Sequence, residues 1–319
     1  MSSSSDDIST CVVCGVSGIG LKLSNEKLVY ICTSCALKVE HCTKDGVSDN
    51  TSRTISSDAV SDSLSRVDIS DEDDNKLFQD PPPNEDCSLC MQPLPFATGI
   101  CGVEKVYMTC CGKILCIGCS MAERCEMEKG NIKAWCAFCR VPHSKSNKES
   151  VKRIKKRMQV DDDLAFLDLG MQYRDGTMGL PQDMNKALEL WAQSAELGSI
   201  NAHDELARAY QNGKGVAKDM NKAKHHWKLA AIGGHERARH NLGTFEAKFG
   251  SMNIAIKHYM IAAKSGHDDS LKEVGKGYKA GYVTKDEYAK TLRAHKDCWD
   301  EMKSEQRTKA LAVCRQLMS

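Results

Sequence analysis

The sequence lacks the apolar segments that mark a secreted or membrane protein. Its 319 residues begin MSSSSDD instead of with an apolar run, so no secretory signal peptide is expected. No stretch approaches the ~18 apolar residues that cross a bilayer. The net charge is +1, which gives no overall field toward nucleic acid or a membrane surface. We expect a protein of the cytoplasm and/or the nucleus, without membrane or nucleic-acid partners.

Motifs for direct chemistry are also missing. The sequence has no glycine-rich phosphate loop, no serine–histidine–aspartate arrangement and no H-E-x2-H motif. These absences argue against nucleotide hydrolysis, acyl transfer through a serine and zinc-dependent proteolysis. Any enzymatic role would have to come from positioning partner molecules.

Cysteine, by contrast, is abundant, with 17 residues. In a reducing compartment, paired thiols indicate metal sites more often than disulfides. Four pairs fall between positions 87 and 139: Cys87/Cys90, Cys110/Cys111, Cys116/Cys119 and Cys136/Cys139. The C-x2-C spacing of three of them lets a tight turn aim both sulfurs at one ion. Eight thiolates in four pairs therefore predict two tetrahedral zinc ions; the alternative is a set of buried free thiols.

The order and spacing of these pairs resemble the RING-type zinc finger in its all-cysteine variant. That resemblance implies a cross-brace, in which the first and third pairs share one ion and the second and fourth share the other. One site would be Cys87, Cys90, Cys116 and Cys119, and the other Cys110, Cys111, Cys136 and Cys139. Lys113 stands where the commoner RING has a histidine, and Cys101 is an alternative ligand for the second site.

The same resemblance implies roles for three positions beside the ligands. Leu89 matches the hydrophobic residue with which RING fingers contact a ubiquitin-conjugating enzyme. Arg140 matches the arginine that braces ubiquitin against that enzyme, a task that suits a guanidinium with donors for both partners. Ala137 replaces the usual proline of that contact surface. The alternatives are a core position for Leu89 and a solvated charge for Arg140.

The chain before this finger is predicted to hold another zinc-binding segment between disordered stretches. Residues 1–10 are polar and expected to be disordered. Residues 11–42 carry Cys11, Cys14, Cys32 and Cys35, which predict a zinc ribbon, or a degenerate finger resembling the MYND type, with a third zinc ion. Residues 43–86 are rich in serine and acidic residues without apolar periodicity, so we expect a disordered linker.

Residues 144–162 predict a basic helix that links the finger to the next module. Valines and Ile154 recur at helical spacing among lysines and arginines. The alternative is a nucleic-acid patch at Lys152–Arg157, which the balanced net charge does not favour.

Residues 163–290 contain repeats, the first two 36 residues apart and the third four residues shorter, which indicates a solenoid of helix pairs. Asp183, Lys186, Ala187, Trp191 and Gly198 recur as Asp219, Lys222, Ala223, Trp227 and Gly234. The L-G-x2-Y, G-x-G-V-x2-D and K-A-x3-W patterns resemble Sel1-like repeats, which are related to tetratricopeptide repeats. Tyr259 takes the tryptophan position in a third copy. We expect these aromatics to pack between helices instead of forming a peptide-binding face, and residues 291–319 to form a C-terminal helix that closes the stack.

The predicted fold is multi-domain: small zinc-stabilised fingers, including a cross-brace RING, followed by an all-α Sel1-like solenoid. The resemblance implies a RING-type ubiquitin ligase that forms no covalent intermediate. It would position a ubiquitin-loaded conjugating enzyme while the repeats recruit a protein substrate. The alternative is a non-catalytic, zinc-stabilised adaptor, which Lys113 and Ala137 favour.

Overall fold

The computed structural model describes residues 76–94, 105–128 and 135–318. All of them belong to one unit of the chain, Ile55–Ser319. The predictions for residues 1–10, 11–42 and 43–75 lie outside the described residues. Within the described part of the chain, no helix has the length and apolar character needed to span a bilayer.

In the described part of the cysteine-rich module (residues 87–143), the regular structure is two short strands and one helix. Strand β1, Lys105–Tyr107, pairs antiparallel with β2, Ile114–Cys116, and helix α1, Ile117–Glu128, follows directly. Its buried cluster consists of Leu94, Met108, Leu115 and the buried cysteines. A core this small is typical of domains that need a metal or a disulfide for stability.

The chain described after the cysteine-rich module is mainly helical, as the repeat pattern predicts. After α2, Asn147–Met158, the repeat helices follow, and consecutive helices from α3 to α10 pack on one another. Their bounds are α3 Asp163–Asp175, α4 Met184–Glu196, α5 Ile200–Asn212, α6 Met220–Ile232, α7 Glu236–Phe249, α8 Met252–Lys264, α9 Asp268–Lys279 and α10 Lys285–Met302. The repeated aspartates start equivalent helices, since Asp183 accepts a hydrogen bond from the backbone N–H of Lys186 and Asp219 from that of Lys222.

The aromatic residues of the repeats are buried between helices. Trp191, Trp227 and Tyr259 are 1%, 1% and 5% exposed. Glycines make room for the first and third of these rings. A Cβ at Gly170 would lie 2.5 Å from Nε1 of Trp191, and one at Gly243 would lie 2.7 Å from Cε1 of Tyr259. The repeated aromatic position therefore serves interhelix packing.

The cysteine-rich module is tied to the first repeat through one carboxylate. Asp162, just before α3, accepts hydrogen bonds from the Tyr107 hydroxyl at 2.8 Å and from Nε of Arg157 at 2.7 Å. Arg157 lies on the basic helix α2, which buries Val151 and Ile154 against the repeats. The basic residue Arg157 of α2 therefore makes an internal contact, with Asp162.

The C-terminal segment differs from the single closing helix predicted for 291–319. Helix α10 ends at Met302, Lys303 is extended, and α11, Glu305–Met318, begins after Ser304, whose hydroxyl accepts from the N–H of Arg307 at 3.2 Å. Helix α11 packs on α1 of the cysteine-rich module, where a Cβ at Gly118 would lie 2.8 Å from the backbone nitrogen of Arg307.

The last part of the predicted disordered linker also differs from expectation. Residues 76–86 have defined contacts with the repeats, and Leu77 is 4% exposed within a repeat cluster that includes Tyr210 and Trp227. The linker prediction is therefore wrong for these residues. The segment is polar overall, but it contains a short apolar pair, Leu77-Phe78, that packs on the solenoid.

Candidate metal centres

Eight cysteine sulfurs gather into two groups in the cysteine-rich module. In each group, the four sulfur atoms lie within 4.8 Å of one another. The first group is Cys87, Cys90, Cys116 and Cys119, and the second is Cys110, Cys111, Cys136 and Cys139. Along the chain, the cysteine pairs of the two groups alternate. The first and third pairs form one group, and the second and fourth pairs form the other. The role of these sulfurs as zinc ligands stays a prediction.

The sulfur separations fit tetrahedral zinc. Sγ of Cys90 lies 3.9 Å from Sγ of Cys116, and Sγ of Cys111 lies 3.8 Å from Sγ of Cys136. Four thiolates around one zinc ion, with Zn–S near ~2.3 Å, would lie ~3.8 Å apart. A disulfide would bring the sulfurs to about 2.05 Å. The donor set and its spacing therefore suit two four-sulfur zinc sites and do not suit disulfides.

Two of the pairs sit in turns of the same design. The N–H of Met91 donates to the Cys87 carbonyl at 2.9 Å, and the N–H of Arg140 donates to the Cys136 carbonyl at 3.1 Å. Met91 and Arg140 both have positive φ, 54° and 60°. A short antiparallel bridge flanks each turn, Asp86 with Pro93 and Trp135 with Pro142. The shared C-x2-C-x2-P pattern of the sequence therefore encodes two equivalent knuckles.

Backbone N–H groups favour the thiolate form of the first cysteine in each knuckle. Burial opposes ionisation, but N–H donors including that of Cys90 lower the pKa of Cys87 to about 6. Burial is likewise outweighed at Cys136, where N–H donors including that of Cys139 lower the pKa. Burial raises the pKa of four other thiols in the two groups: Cys90, Cys119, Cys110 and Cys111. Each group therefore combines one thiol that ionises readily with thiols that do not.

Arg307 of α11 contacts the first sulfur group, and the sequence did not indicate this contact. The residue is 4% exposed, and its guanidinium reaches the first sulfur group. Nη1 donates to the carbonyls of Pro93 and Met302, both at 2.7 Å, and Nη2 lies 3.3 Å from the Gln92 carbonyl and 3.8 Å from Sγ of Cys90. Four thiolates and one Zn²⁺ carry a net negative charge, which the guanidinium offsets. No local signal in the charged C-terminal sequence indicates this contact.

Replacing Arg307 with glutamine should weaken metal retention at the first group. Outer-shell partners of metal ligands typically contribute 10–100-fold in affinity, so we expect zinc to pass to a chromophoric chelator roughly tenfold faster. Arg293→Gln, at an exposed position of α10, is the matched control. Equal release rates for Arg307→Gln and the wild type would contradict a supporting role for Arg307.

The three predicted contacts for a conjugating enzyme lie on the two knuckles. Leu89 is 46% exposed, and Ala137 and Arg140 are exposed as well. A solvated position excludes the core role for Leu89. Cys101 and the N-terminal cysteines Cys11, Cys14, Cys32 and Cys35 lie outside the described residues.

Comparisons with known proteins bear on the helical part of the chain. The Sel1 repeat family model matches residues 167–199 and 200–235, and no RING family model matches. The ERAD-associated E3 ubiquitin-protein ligase component HRD3 of Candida glabrata is 33% identical over 84 residues, which are 26% of this chain and only 10% of that protein.

Solved structures of repeat proteins are also similar. A protective antigen of uropathogenic Escherichia coli with an SLR fold is 26% identical at a TM-score of 0.42, covering 48% of this chain and 33% of that one. The Sel1 repeat protein from Oxalobacter formigenes is 26% identical at a TM-score of 0.38, covering 40% and 98%. The family-model match confirms that the chain contains Sel1 repeats within the predicted 163–290 range, in an all-α solenoid that implies protein–protein interaction.

Proposed function

We propose that this protein is a RING-type ubiquitin ligase in which Sel1 repeats recruit a protein substrate to a zinc-stabilised module. The observation that carries the proposal is the alternation of the two sulfur groups along the chain. A four-sulfur group formed by neighbouring pairs would give two separate zinc ribbons. Here the first pair meets the third and the second meets the fourth, as the RING cross-brace requires.

Zinc, when bound, would be structural, because four cysteines fill each tetrahedral site and leave no open position for water. The chain's own contribution is to hold two knuckles at fixed positions. Leu89 would offer an exposed apolar contact to the conjugating enzyme. Arg140 would donate hydrogen bonds to ubiquitin and the enzyme together, which holds the thioester in a reactive posture. The substrate lysine then attacks the thioester carbonyl and the enzyme's cysteine thiolate departs.

The helical part of the chain supports the recruitment half of the proposal. Sel1 repeats imply protein partners. The similarity to a component of an E3 ubiquitin ligase, although it spans a small part of that protein, favours a ubiquitin-ligase setting. The contacts of Asp162 and of α11 with the cysteine-rich module would keep a recruited protein at a defined distance from the knuckles.

A ubiquitin-discharge assay tests the proposal. The full chain should accelerate release of ubiquitin from a loaded conjugating enzyme to free lysine, across a panel of such enzymes. Leu89→Ala and Arg140→Ala should each reduce the acceleration at least tenfold, since each removes a contact made to the reactive complex. Leu197→Ala, which is 41% exposed on the repeats, and Arg293→Ala should have no effect.

Zinc-loaded protein that accelerates discharge with no enzyme of the panel would instead support the non-catalytic adaptor. Ala137 favours that second function, because an exposed alanine offers a smaller apolar contact than the usual proline. An Ala137→Pro variant distinguishes the two functions. If this variant accelerates ubiquitin discharge and the wild type does not, the module has lost only the contact that the proline makes.

A further inference from the structure

The repeats hold a segment of their own chain on their surface. Residues 77–83, the docked segment, run from Leu77 to the third of three consecutive prolines. Leu77 is 4% exposed and belongs to the cluster of Tyr210, Trp227 and Leu242, which are themselves residues of the repeat core. The repeats therefore contain a pocket for a branched aliphatic side chain that an element outside the solenoid supplies.

A buried arginine fixes the backbone of the docked segment. Arg239 of α7 is 2% exposed, and its guanidinium donates to the carbonyls of Leu77 and Ala231. Within the described residues it pairs with no carboxylate, and burial lowers its pKa to about 10. A buried guanidinium is costly unless its donors are satisfied. The N–H of Gln79 donates to the Lys76 carbonyl at 3.1 Å, so Leu77 and Phe78 lie in a turn. Hydrogen bonding of Arg239 to a carbonyl makes no demand on side-chain identity, so another segment with such a turn could take the place of this one.

Phe78 and the prolines that follow Leu77 also contact the repeats. Phe78 is 41% exposed, with its ring centroid 5.0 Å from that of His258 and 5.7 Å from Nζ of Lys257. Pro81 and Pro82 pack beside Gly234, where a Cβ would lie 3.4 Å from the Pro82 ring, at van der Waals distance. Prolines restrict an extended segment before it binds, which lowers the entropy lost on docking.

Charge around the docked segment is positive on the solenoid side. The pKa of His258 is lowered first by burial and then by Arg239, Lys224 and Lys228. Glu246, which pairs with Lys224 at 2.8 Å, acts on this pKa in the opposite direction. The sequence immediately before the docked segment is acidic, DISDEDDN at residues 68–75. Basic residues on this surface would steer an acidic segment of a partner toward it.

We propose that this surface is a peptide-binding groove, occupied in cis by the docked segment and opened when a partner protein competes for it. The partner would present a leucine–phenylalanine pair in a turn, with acidic residues before it in sequence and prolines after it. This inference rests on the protein-binding role proposed above for the repeats and is independent of ligase activity. A tethered occupant acts at an effective concentration near ~1 mM, so the free protein would bind such partners weakly.

The test uses a fluorescent peptide copy of residues 68–84 and the full-length protein. Phe78→Ala, at a partly exposed position, should bind the peptide at least tenfold more tightly than the wild type, because the cis competitor is weakened. Leu77→Ala combined with Phe78→Ala should bind it more tightly still. Phe249→Ala is the matched control: Phe249 is 60% exposed beside Lys248, and its loss should leave affinity at the wild-type value.

A second peptide, with alanines in place of leucine and phenylalanine, keeps the acidic charge and should bind at least tenfold more weakly to Phe78→Ala. Equal affinity of the two peptides would overturn the groove in favour of a basic surface alone. Equal affinity of the native peptide for wild type and Phe78→Ala would also overturn it. Ubiquitin discharge measured on the same samples separates the proposals, since lost discharge with retained peptide binding contradicts the ligase only.

Discussion

Removal of zinc is expected to unfold the cysteine-rich module and release α11, while the repeats stay folded. The module's buried cluster is built largely from cysteine sulfurs with Leu94, Met108 and Leu115. Without metal, these buried thiolates would repel one another or take up protons. Structural zinc contributes roughly 10–16 kcal/mol in small fingers, more than a core of this size could replace. The repeats have separate clusters and no group of sulfurs among their described residues.

Hydrogen exchange followed by mass spectrometry checks this expectation. Chelation should abolish protection in residues 105–128 and 305–318 and leave protection in residues 184–264 unchanged. Cys136→Ser should reproduce the loss in residues 105–128 without a chelator. Cys298→Ser is the matched control, because Cys298 is a free cysteine outside both sulfur groups. Full protection of residues 105–128 in metal-free protein would contradict a structural role for zinc.

Acid is expected to unfold the repeats between pH 6.5 and pH 4, through histidines buried in neutral form. Burial lowers the pKa of His203, His258 and His267 to about 4, against about 6.5 in the unfolded chain. Between these values the unfolded chain binds more protons, so stability is complete above pH 6.5 and falls as the pH falls. Each group costs roughly 3 kcal/mol by pH 4, against a typical total of about 5–15 kcal/mol.

His267→Asn is the most informative variant, because asparagine can replace the His267 imidazole as the N-cap of α9. Nδ1 of His267 accepts from the N–H of Ser270 at 3.1 Å and caps α9. The charged groups around it are Asp269, Arg237 and the imidazoles of His240 and His235. Asparagine is a strong N-cap and does not titrate. His267→Asn should therefore keep most of the stability at pH 7.5.

The denaturant midpoint measured at pH 7.5 and at pH 5 tests this prediction. The loss between the two pH values should be smaller in His267→Asn than in the wild type, by roughly 2 kcal/mol. His295→Asn is the control, because it removes an imidazole that is only partly buried and lies 3.1 Å from Asp268. Identical pH dependence in His267→Asn and the wild type would contradict the assignment to buried histidines.

The repeats could be predicted from the sequence because their signals are local and recur. A period of 36 residues, an N-capping aspartate at Asp183 and Asp219, and a buried aromatic on each second helix define the helix pairs without tertiary information. The grouping of the eight cysteines followed from a resemblance, since spacing alone does not say which pairs meet in space. The structure brings the sulfurs together in that arrangement.

The contacts that join the modules could not be predicted, because each depends on a single residue in a polar segment. Leu77 stands between a lysine and a phenylalanine after an acidic run, and Arg307 is one charge among many in the C-terminal helix. Their partners lie more than 150 residues away in the sequence, at Arg239 and at Pro93. Single long-range contacts of this kind produce no periodic pattern in the sequence. Composition therefore predicted a disordered linker before the finger and a single closing helix at the C-terminus.

The central claim is that the eight cysteines bind two metal ions in alternating pairs. The most direct test is ¹¹³Cd NMR of cadmium-substituted, cysteine-labelled full-length protein, in which each metal signal correlates with the β-protons of its own ligands. One signal should correlate with Cys87, Cys90, Cys116 and Cys119, and another with Cys110, Cys111, Cys136 and Cys139. A signal shared by Cys87 and Cys110, or by Cys116 and Cys136, would contradict the account.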